Sequence, residues 1–248
     1  MRYFLIVFAV LALIPSARAV PITFTGAELA SLPGASFPTG GQMVIGDDLR
    51  IDVTEGFTAL YRLDLDEFII DRSDFGFSLE FTRLNSDSGL NEQEFFIGFF
   101  DGRFLYSASF YGRDTGQTTA QNIILRLNED GTELLGPGFA GASSPTAASL
   151  IGDILQLDFR LQATLDDTLI SHAFDGSDFF PDSTLEPLLP GSDLSLVIFN
   201  LNSTEQNFLF NSLTFTNGVS TVAEPATLSG LALGMLALTG LMRRRRII

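Results

Sequence analysis

The amino-acid sequence predicts an all-β protein: an antiparallel two-sheet β-sandwich of jelly-roll type, with an N-terminal signal peptide and a single C-terminal transmembrane helix. Apolar and polar residues alternate strictly over long stretches, 24 of the 248 residues are Phe, and no strand-helix-strand alternation is evident. The predicted organisation has three parts. They are a signal peptide at 1–19, a β-sandwich domain at 20–222 and a C-terminal segment at 223–248.

The N-terminal segment has the three regions of a secretory signal. A positive charge at Arg2 precedes an apolar stretch over residues 3–14, and Ala17 and Ala19 form the small-residue cleavage pattern. Cleavage after Ala19 makes Val20 the mature N-terminus, and the protein is then exported through the inner membrane. The alternative is an uncleaved anchor helix, which the shortness of the apolar stretch disfavours.

The body between the two terminal segments is strongly acidic. The chain has 14 basic residues, all Arg, against 30 acids, for a formal net charge of −16. Without the six terminal Arg and Glu224, eight Arg remain against 29 acids, so the body is near −21. This charge argues against nucleic acid as a partner and against electrostatic docking on anionic lipid. The absence of Cys means that the exported body is held together by core packing, or with help from metal ions such as calcium, and not by disulfides.

Strict alternation predicts the strands of the sandwich. The longest pattern covers 155–165, where Leu and Phe alternate with Gln, Asp, Arg and Thr. Two segments are predicted to be long loops that bind a partner or are mobile: 136–149, which is rich in Gly, Ala, Ser and Pro, and 175–192, in which three Pro lie among acids. Further strands are predicted at 61–65, 75–81, 94–100, 103–111, 122–127, 168–174, 194–201 and 207–216, with a tight hairpin at Asp101-Gly102.

The order of three of these strands, 155–165, 168–174 and 207–216, resembles the concanavalin A-like lectin and glucanase fold. In that fold a long strand precedes a hairpin, and the last strand returns to pair near the first. The resemblance is one of pattern alone. It implies an arrangement of strands and carries no site residues.

The body offers few residues for catalysis. His172 is the only His and there is no Cys or Lys, so a Ser-His-Asp triad would need His172 and a His-based metal cluster cannot form. Asp64, Asp66 and Glu67 invite comparison with the E-x-D-x-x-E strand of laminarinase-type glycosidases, but the spacing does not match. The sequence therefore favours a protein that is not an enzyme. A secreted β-sandwich glycoside hydrolase acting on polysaccharide is the alternative.

No cofactor is predicted, although clusters of acidic residues are candidate calcium ligands. The candidate site is Asp175 with Asp178, in the run Asp175-Gly176-Ser177-Asp178. The spacing is not that of an EF-hand loop. Capping of a turn by Asp explains the cluster equally well, so both interpretations stay open.

The last 26 residues combine three short patterns in an informative order. Ala223, Glu224 and Pro225 come first, and an apolar run over 226–242 follows. As a helix this run is about 25 Å long, which is marginal against a hydrocarbon core of about 30 Å. The basic cluster that ends the chain predicts that the tail stays in the cytoplasm and the acidic body outside; it consists of Arg243, Arg244, Arg245 and Arg246.

This order resembles the PEP-CTERM sorting domain of Gram-negative exported proteins, with Ala223 where that family usually has Pro. The resemblance implies that an exosortase-type membrane protease or transpeptidase cleaves near Glu224-Pro225 and passes the body to the cell surface or an exopolysaccharide matrix. Insertion in the inner membrane is then transient. The body is expected to be structural, adhesive or glycan-contacting, with polysaccharide as a candidate partner. A permanent single-pass anchor is the alternative.

Overall fold

The computed structural model describes the body of the chain with short gaps, and both predicted terminal segments lie outside the described residues. No helix within the described part is long and apolar enough to cross a membrane. The described ranges are 21–38, 41–53, 58–65, 68–84, 92–113, 117–144, 147–148, 152–164, 166–184, 187–188, 191–200, 206–216 and 219–221.

The described residues are mostly in strands, with one short helix, α1, at Gly26–Ser31. Thr25 caps this helix: its hydroxyl accepts from the Glu28 backbone N–H, and the Glu28 carboxylate accepts from that of Thr25. The strands are β1 Ile22–Thr25, β2 Ala35–Ser36, β3 Gly41–Ile45, β4 Asp48–Val53, β5 Thr58–Asp64, β6 Phe68–Ile70, β7 Phe75–Arg83, β8 Glu92–Phe100, β9 Phe104–Arg113, β10 Gln117–Leu127, β11 Leu134–Ser143, β12 Ala147–Ala148, β13 Ile154–Ala163, β14 Thr168–Phe174, β15 Phe180–Thr184, β16 Ser195–Asn200, β17 Gln206–Thr216 and β18 Val219–Thr221.

The strands form two large antiparallel sheets and one small sheet. Sheet A has the order β15-β14-β13-β7-β17-β4-β3, with β1 also paired to β17, and sheet B has the order β11-β10-β9-β8-β16-β5-β2, with β12 paired to β10. Strands β18 and β6 form the small sheet. The prediction of an antiparallel two-sheet sandwich is confirmed. The last long strand, β17, pairs with the first strand, β1, as the strand order had indicated.

A core rich in Phe fills the space between the sheets. Along β7 the residues Phe75, Phe77, Leu79 and Phe81 point inward and are at most 1% exposed. The rings of Phe75, Phe77 and Phe81 meet rings of sheet B edge to face. This arrangement adds to the free energy gained by burial. The other aromatic residues of this core cluster are Tyr61, Phe68, Phe95, Phe99, Tyr106, Phe110, Phe159, Phe174, Phe208, Phe210 and Phe215.

An interior strand of sheet B, β16, is buried on both faces. Leu196 and Ile198 of β16 belong to the core between the sheets, whereas Val197 and Phe199 belong to a second apolar cluster on the opposite face. Strand β16 is therefore buried along its whole length. This leaves the outer face of sheet A as the broad polar face of the sandwich. The second cluster consists of Ala59, Phe96, Phe100, Leu105, Leu125, Leu127, Val197 and Phe199.

The two segments predicted as long loops are largely ordered, so that prediction was wrong. Most of β11 and all of β12 lie within 136–149, and β15 lies within 175–192. Leu188 is buried in the core, and its backbone N–H donates to the Thr168 hydroxyl at 3.0 Å. These strands lie at sheet edges, where pairing by the backbone does not require alternating side chains.

The predicted hairpin at Asp101-Gly102 joins β8 to β9. Gly102 has φ of 89°, which glycine adopts without strain. The Asp101 carboxylate oxygen Oδ1 accepts from the backbone N–H groups of Arg103 at 3.0 Å and Phe104 at 2.8 Å. Because Asp101 is only 1% exposed, this carboxylate replaces water as the acceptor for both donors.

We expect Asp101→Ala to lower the free energy of unfolding by about 2 kcal/mol, because two partly buried backbone donors lose their acceptor. Asp130→Ala, at an exposed position in another turn, is the matched control and is expected to change stability by less than about 0.5 kcal/mol. Urea unfolding of both variants measures the difference. Equal losses would contradict the assigned role of the Asp101 carboxylate.

Candidate functional site

The candidate site is the polar outer face of sheet A. Alternation along β7 and β13 turns their polar residues away from the Phe-rich core. Glu80 and Gln156 are exposed, whereas Ser78, Asp158 and Arg160 are half-buried. Glu80 lies directly opposite Gln156 and Ser78 directly opposite Asp158, so these side chains share one surface.

Hydrogen bonds link the side chains of this face across neighbouring strands. The Gln156 amide nitrogen donates to the Ser78 hydroxyl at 3.1 Å and to the Asp158 carboxylate at 2.9 Å. The Ser212 hydroxyl of β17 donates to the Glu80 carboxylate at 2.8 Å. One group of hydrogen bonds therefore joins β13 to β7, and a second group joins β7 to β17.

A third group of hydrogen bonds joins β17 to β7 and β4 at a β-bulge. The register between β17 and β7 shifts between Phe210 and Ser212, which places Asn211 between two polar neighbours. Its amide oxygen accepts from the Thr82 hydroxyl and its amide nitrogen donates to the Asp48 carboxylate, both at 3.0 Å. Four strands of sheet A thus contribute to one polar surface.

Arg160 is neutralised by an acid next to the sheet. Its guanidinium donates to both oxygens of the Asp74 carboxylate, at 2.7 and 2.5 Å. These hydrogen bonds raise the pKa of Arg160. The pair carries no net charge. Arg50 of β4 adds one positive charge to the face, and Asp48, Glu80 and Asp158 outweigh it, so these residues leave the face acidic.

The surface supplies both hydrogen-bond acceptors and hydrogen-bond donors. Phe residues of β7, β13 and β17 point inward, and the described outward positions of these strands carry no aromatic side chain. Glu80 and Asp158 are diagonal neighbours, a relation that places side chains roughly 7–8 Å apart and falls in the range used by inverting glycosidases. Both carboxylates bond to neighbouring side chains on an open face, which is not the enclosed geometry of a catalytic pair.

His172 lies inside the sandwich and not on this face. It is fully buried on β14, its ring stacks on Phe180 at 5.5 Å, and its Nδ1 lies 2.9 Å from the Asn122 amide oxygen. The Asn122 amide nitrogen donates to the Phe180 carbonyl at 2.9 Å, so its oxygen is the acceptor and Nδ1 carries the proton. Nε2 is buried without a hydrogen-bond partner. The ring is bonded to an amide and not to a Ser hydroxyl, so this is not a catalytic triad.

Burial lowers the pKa of His172 to about 4, and the backbone carbonyl of Ala120 acts in the opposite direction. The imidazole is therefore neutral at pH 7. The arrangement joins sheet B to the edge of sheet A, because Asn122 lies on β10 while Phe180 begins β15. The role of His172 is structural, and protonation of its imidazole at acid pH disrupts this arrangement.

The candidate calcium residues Asp175 and Asp178 lie in the turn between β14 and β15, and both are exposed. Ser177 closes the turn: its backbone N–H donates to the Phe174 carbonyl, and its hydroxyl accepts from the Phe174 N–H. Asp175 has φ of 48°, a conformation that Asp tolerates in turns. Within the described ranges, no three His, Cys, Asp or Glu residues group to hold a metal ion.

Of the acids compared with a glycosidase strand, Asp64 is described, and Asp66 and Glu67 lie outside the described residues. The Asp64 carboxylate accepts from Arg62 Nε and from the Ser195 hydroxyl, each at 3.0 Å. It lies at the end of β5, away from the outer face of sheet A. The hydrogen bonds to Arg62 and Ser195 account for the position of the Asp64 side chain.

A small recess of about 250 Å³ lies beside β6, away from the polar face. The Arg72 guanidinium donates to the backbone carbonyl and the hydroxyl of Ser192. These hydrogen bonds join the two segments that line the recess, 65–72 and 191–194. The lining residues are Leu65, Phe68, Ile70, Arg72, Gly191, Ser192, Asp193 and Leu194. This recess adjoins the strand that pairs with β18.

No family model and no curated protein matches the chain. Among solved structures, it is similar to the alginate lyase Aly36B (10% identity, TM-score 0.46, 81% of this chain and 98% of that one). It is also similar to peanut lectin bound to a 9mer peptide (14% identity, TM-score 0.43, 82% and 99%). A third is the exoplasmic/lumenal domain of VIP36 in its Ca²⁺/Man3GlcNAc-bound form (8% identity, TM-score 0.46, 83% and 91%). These identities carry over no site residues.

Proposed function

We propose that the protein is an exported cell-surface or matrix protein of a Gram-negative bacterium, whose sandwich contacts polysaccharide through the outer face of sheet A. The observation that carries this proposal is the set of hydrogen-bonded polar side chains on the outer face of sheet A, Gln156 with Ser78 and Asp158, and Glu80 with Ser212. Carboxylates, amides and hydroxyls are the groups that bond sugar hydroxyls. Polar groups spread over four strands suit contact with an extended polymer chain better than contact with a small substrate.

The charge of the face indicates the class of polysaccharide. Asp74 neutralises Arg160, whereas Asp48, Glu80 and Asp158 have no cation among their hydrogen-bond partners described above. Anionic polymers would be repelled by these carboxylates and by the acidic body. We therefore propose a neutral or amine-bearing polysaccharide.

The face can be tested with the full chain, purified in detergent, on cellulose, chitosan and alginate. We expect retention on the neutral or the cationic polymer and none on alginate. The double variant Glu80→Ala/Gln156→Ala removes two polar side chains from the face. It should weaken binding about tenfold, equivalent to about 1.4 kcal/mol. Asp130→Ala, in a turn outside sheet A, is the control. Unchanged binding by the double variant, or retention on alginate alone, would contradict the proposal.

The diagonal carboxylates keep a glycoside hydrolase as the second candidate. Release of reducing ends from the same polymers measures hydrolysis. If the chain hydrolyses a polymer and Glu80→Gln or Asp158→Asn abolishes that activity, the protein is a glycoside hydrolase and the contact proposal is wrong. We expect no release from any of the three polymers.

We further propose that an exosortase-type enzyme cleaves the tail near Glu224-Pro225. The support is the order of the sorting motif, apolar run and Arg cluster. An uncleaved single-pass anchor is the alternative.

A further inference from the structure

The end strand of sheet A, β3, has a free backbone edge. Gly41–Ile45 pairs antiparallel with β4, and no other described strand pairs with it. The strand also carries exposed apolar side chains, because Met43, Val44 and Ile45 are 52%, 50% and 44% exposed. A free strand edge with exposed apolar residues is a surface on which another strand can pair.

The strands at the other three ends of the two large sheets carry features that oppose pairing. Strand β15, at the far end of sheet A, contains Pro181, which has no N–H to donate. In sheet B, β11 contains Pro137 and its register against β10 shifts, while β2 has only two residues. Strand β3 contains neither Pro nor a charged residue, and its register with β4 is regular. Of the four end strands, β3 is therefore the one suited to pairing.

The register with β4 determines which backbone groups of β3 point outward. Ile45 and Asp48 are paired across the two-residue turn Gly46-Asp47, and the residues that flank such a turn hydrogen-bond to each other. Hydrogen-bonded and non-hydrogen-bonded pairs alternate along antiparallel strands. The N–H and C=O groups of Gln42 and Val44 therefore point away from β4, toward the free edge.

These four backbone groups are complementary to those of a second copy of the strand. When two copies pair antiparallel about Met43, Gln42 of each copy lies opposite Val44 of the other, so every outward N–H and C=O group is bonded across the junction. Each Met43 then faces its counterpart on the outer face of the sheet. Because Gly41–Ile45 contains no charged residue, the junction covers no charge of β3 itself.

We infer that two copies of the protein pair through β3, in an antiparallel register centred on Met43, and join their sheets A into one continuous sheet. The inference goes beyond polysaccharide contact and does not depend on it. The two-fold axis of this pair is perpendicular to the sheet, so both outer faces lie on the same side. A polymer that contacts one face can then contact the second face as well.

The shortness and the charge of the partners determine how the dimer behaves in solution. A junction of five residues a side is smaller than the roughly 1,200 Å² of stable interfaces, so we expect a dissociation constant of about 10–100 μM. Both bodies are strongly acidic and repel each other at low salt. Raising the salt concentration screens this repulsion and should strengthen the dimer. A partner of opposite charge would respond in the reverse direction.

The absence of Cys permits a test by cross-linking of the full chain. Met43→Cys places two facing Cα atoms about 4.5 Å apart in the inferred dimer, within the span of a disulfide. Ile45→Cys is the matched control, because each Ile45 lies about 14 Å from its counterpart in this register. Both variants are purified in detergent, oxidised mildly at about 50 μM and separated by non-reducing electrophoresis. We expect the disulfide dimer to form at least about tenfold faster with Met43→Cys than with Ile45→Cys.

A Pro substitution tests the backbone pairing itself. Val44→Pro removes an outward N–H and leaves the hydrogen bonds to β4 intact, an orientation in which edge strands tolerate Pro. The double variant Met43→Cys/Val44→Pro should therefore cross-link at least about tenfold more slowly than Met43→Cys. Val44→Lys, which places a charge at the junction, should have the same effect. Urea unfolding verifies that both variants remain folded.

Three results would overturn the inference. The first is an equal rate of cross-linking for Met43→Cys and Ile45→Cys, as association through the C-terminal segment alone would give. The second is a rate that neither Val44→Pro nor Val44→Lys changes. The third is a chain that sediments as a monomer at about 200 μM and high salt, which would leave the β3 edge to a different strand. Polysaccharide binding is measured separately, through Glu80→Ala/Gln156→Ala, so its failure and the failure of the dimer are distinguishable.

Discussion

Phe81→Ala is expected to lower the free energy of unfolding by about 3–5 kcal/mol, the range for removing a fully buried Phe from a packed core. Phe81 has no exposed surface, and its ring lies 5.0 Å from that of Phe95 and 4.8 Å from that of Phe110. These contacts join β7 of sheet A to β8 and β9 of sheet B. Their loss therefore weakens the packing between the two sheets.

The neighbouring residue supplies the control. Glu80→Ala lies on the opposite face of the same strand, is exposed, and should change stability by less than about 0.5 kcal/mol. Urea unfolding at pH 7 measures both variants. Similar losses for Phe81→Ala and Glu80→Ala would show that the inward and outward faces of β7 have been assigned wrongly.

Acidification is expected to destabilise the protein through His172. Its pKa in the folded state is about 4, below the ordinary 6.5, so the unfolded chain takes up the proton first as the pH falls. The contribution of the neutral imidazole is complete above pH 6.5 and is lost as the pH falls to 4. The loss amounts to about 3 kcal/mol.

His172→Gln isolates this effect, because Gln is neutral at every pH and its amide can still donate to the Asn122 oxygen. The free energy of unfolding is measured from pH 7.5 to 4 for wild type and variant. We expect the wild-type curve to fall more steeply, with the difference developing below pH 6.5. Parallel curves would contradict the burial of an unpartnered Nε2.

Alternation predicted the strands that have one face in the core and one face in water. Strands β7 and β13 follow their predicted ranges closely, because Phe, Leu and polar residues alternate there without interruption. The continuous apolar run of β16 is explained by a second buried face, which the local sequence does not reveal. Edge strands such as β11 and β15 escaped prediction because their Gly- and Pro-containing sequences lack alternation.

The candidate site depends on strand order, which the sequence does not encode locally. Gln156 and Ser78 are far apart in the chain, and Ser212 is farther still; the order β13-β7-β17 brings them to one face. The same holds for His172 and Asn122, which meet across the two sheets. The closeness of Asp175 and Asp178 in the sequence suggests a calcium site, but a turn produces the same pattern.

The mass of the mature protein, recovered from the cell surface or matrix, tests most directly whether the acidic sandwich is exported and released from its tail. Intact mass spectrometry is expected to show a chain that begins at Val20 and ends within a few residues of Glu224, without the apolar run and the Arg cluster. A surface-exposed protein that still ends at Ile248 would contradict processing and establish the chain as a permanent anchor.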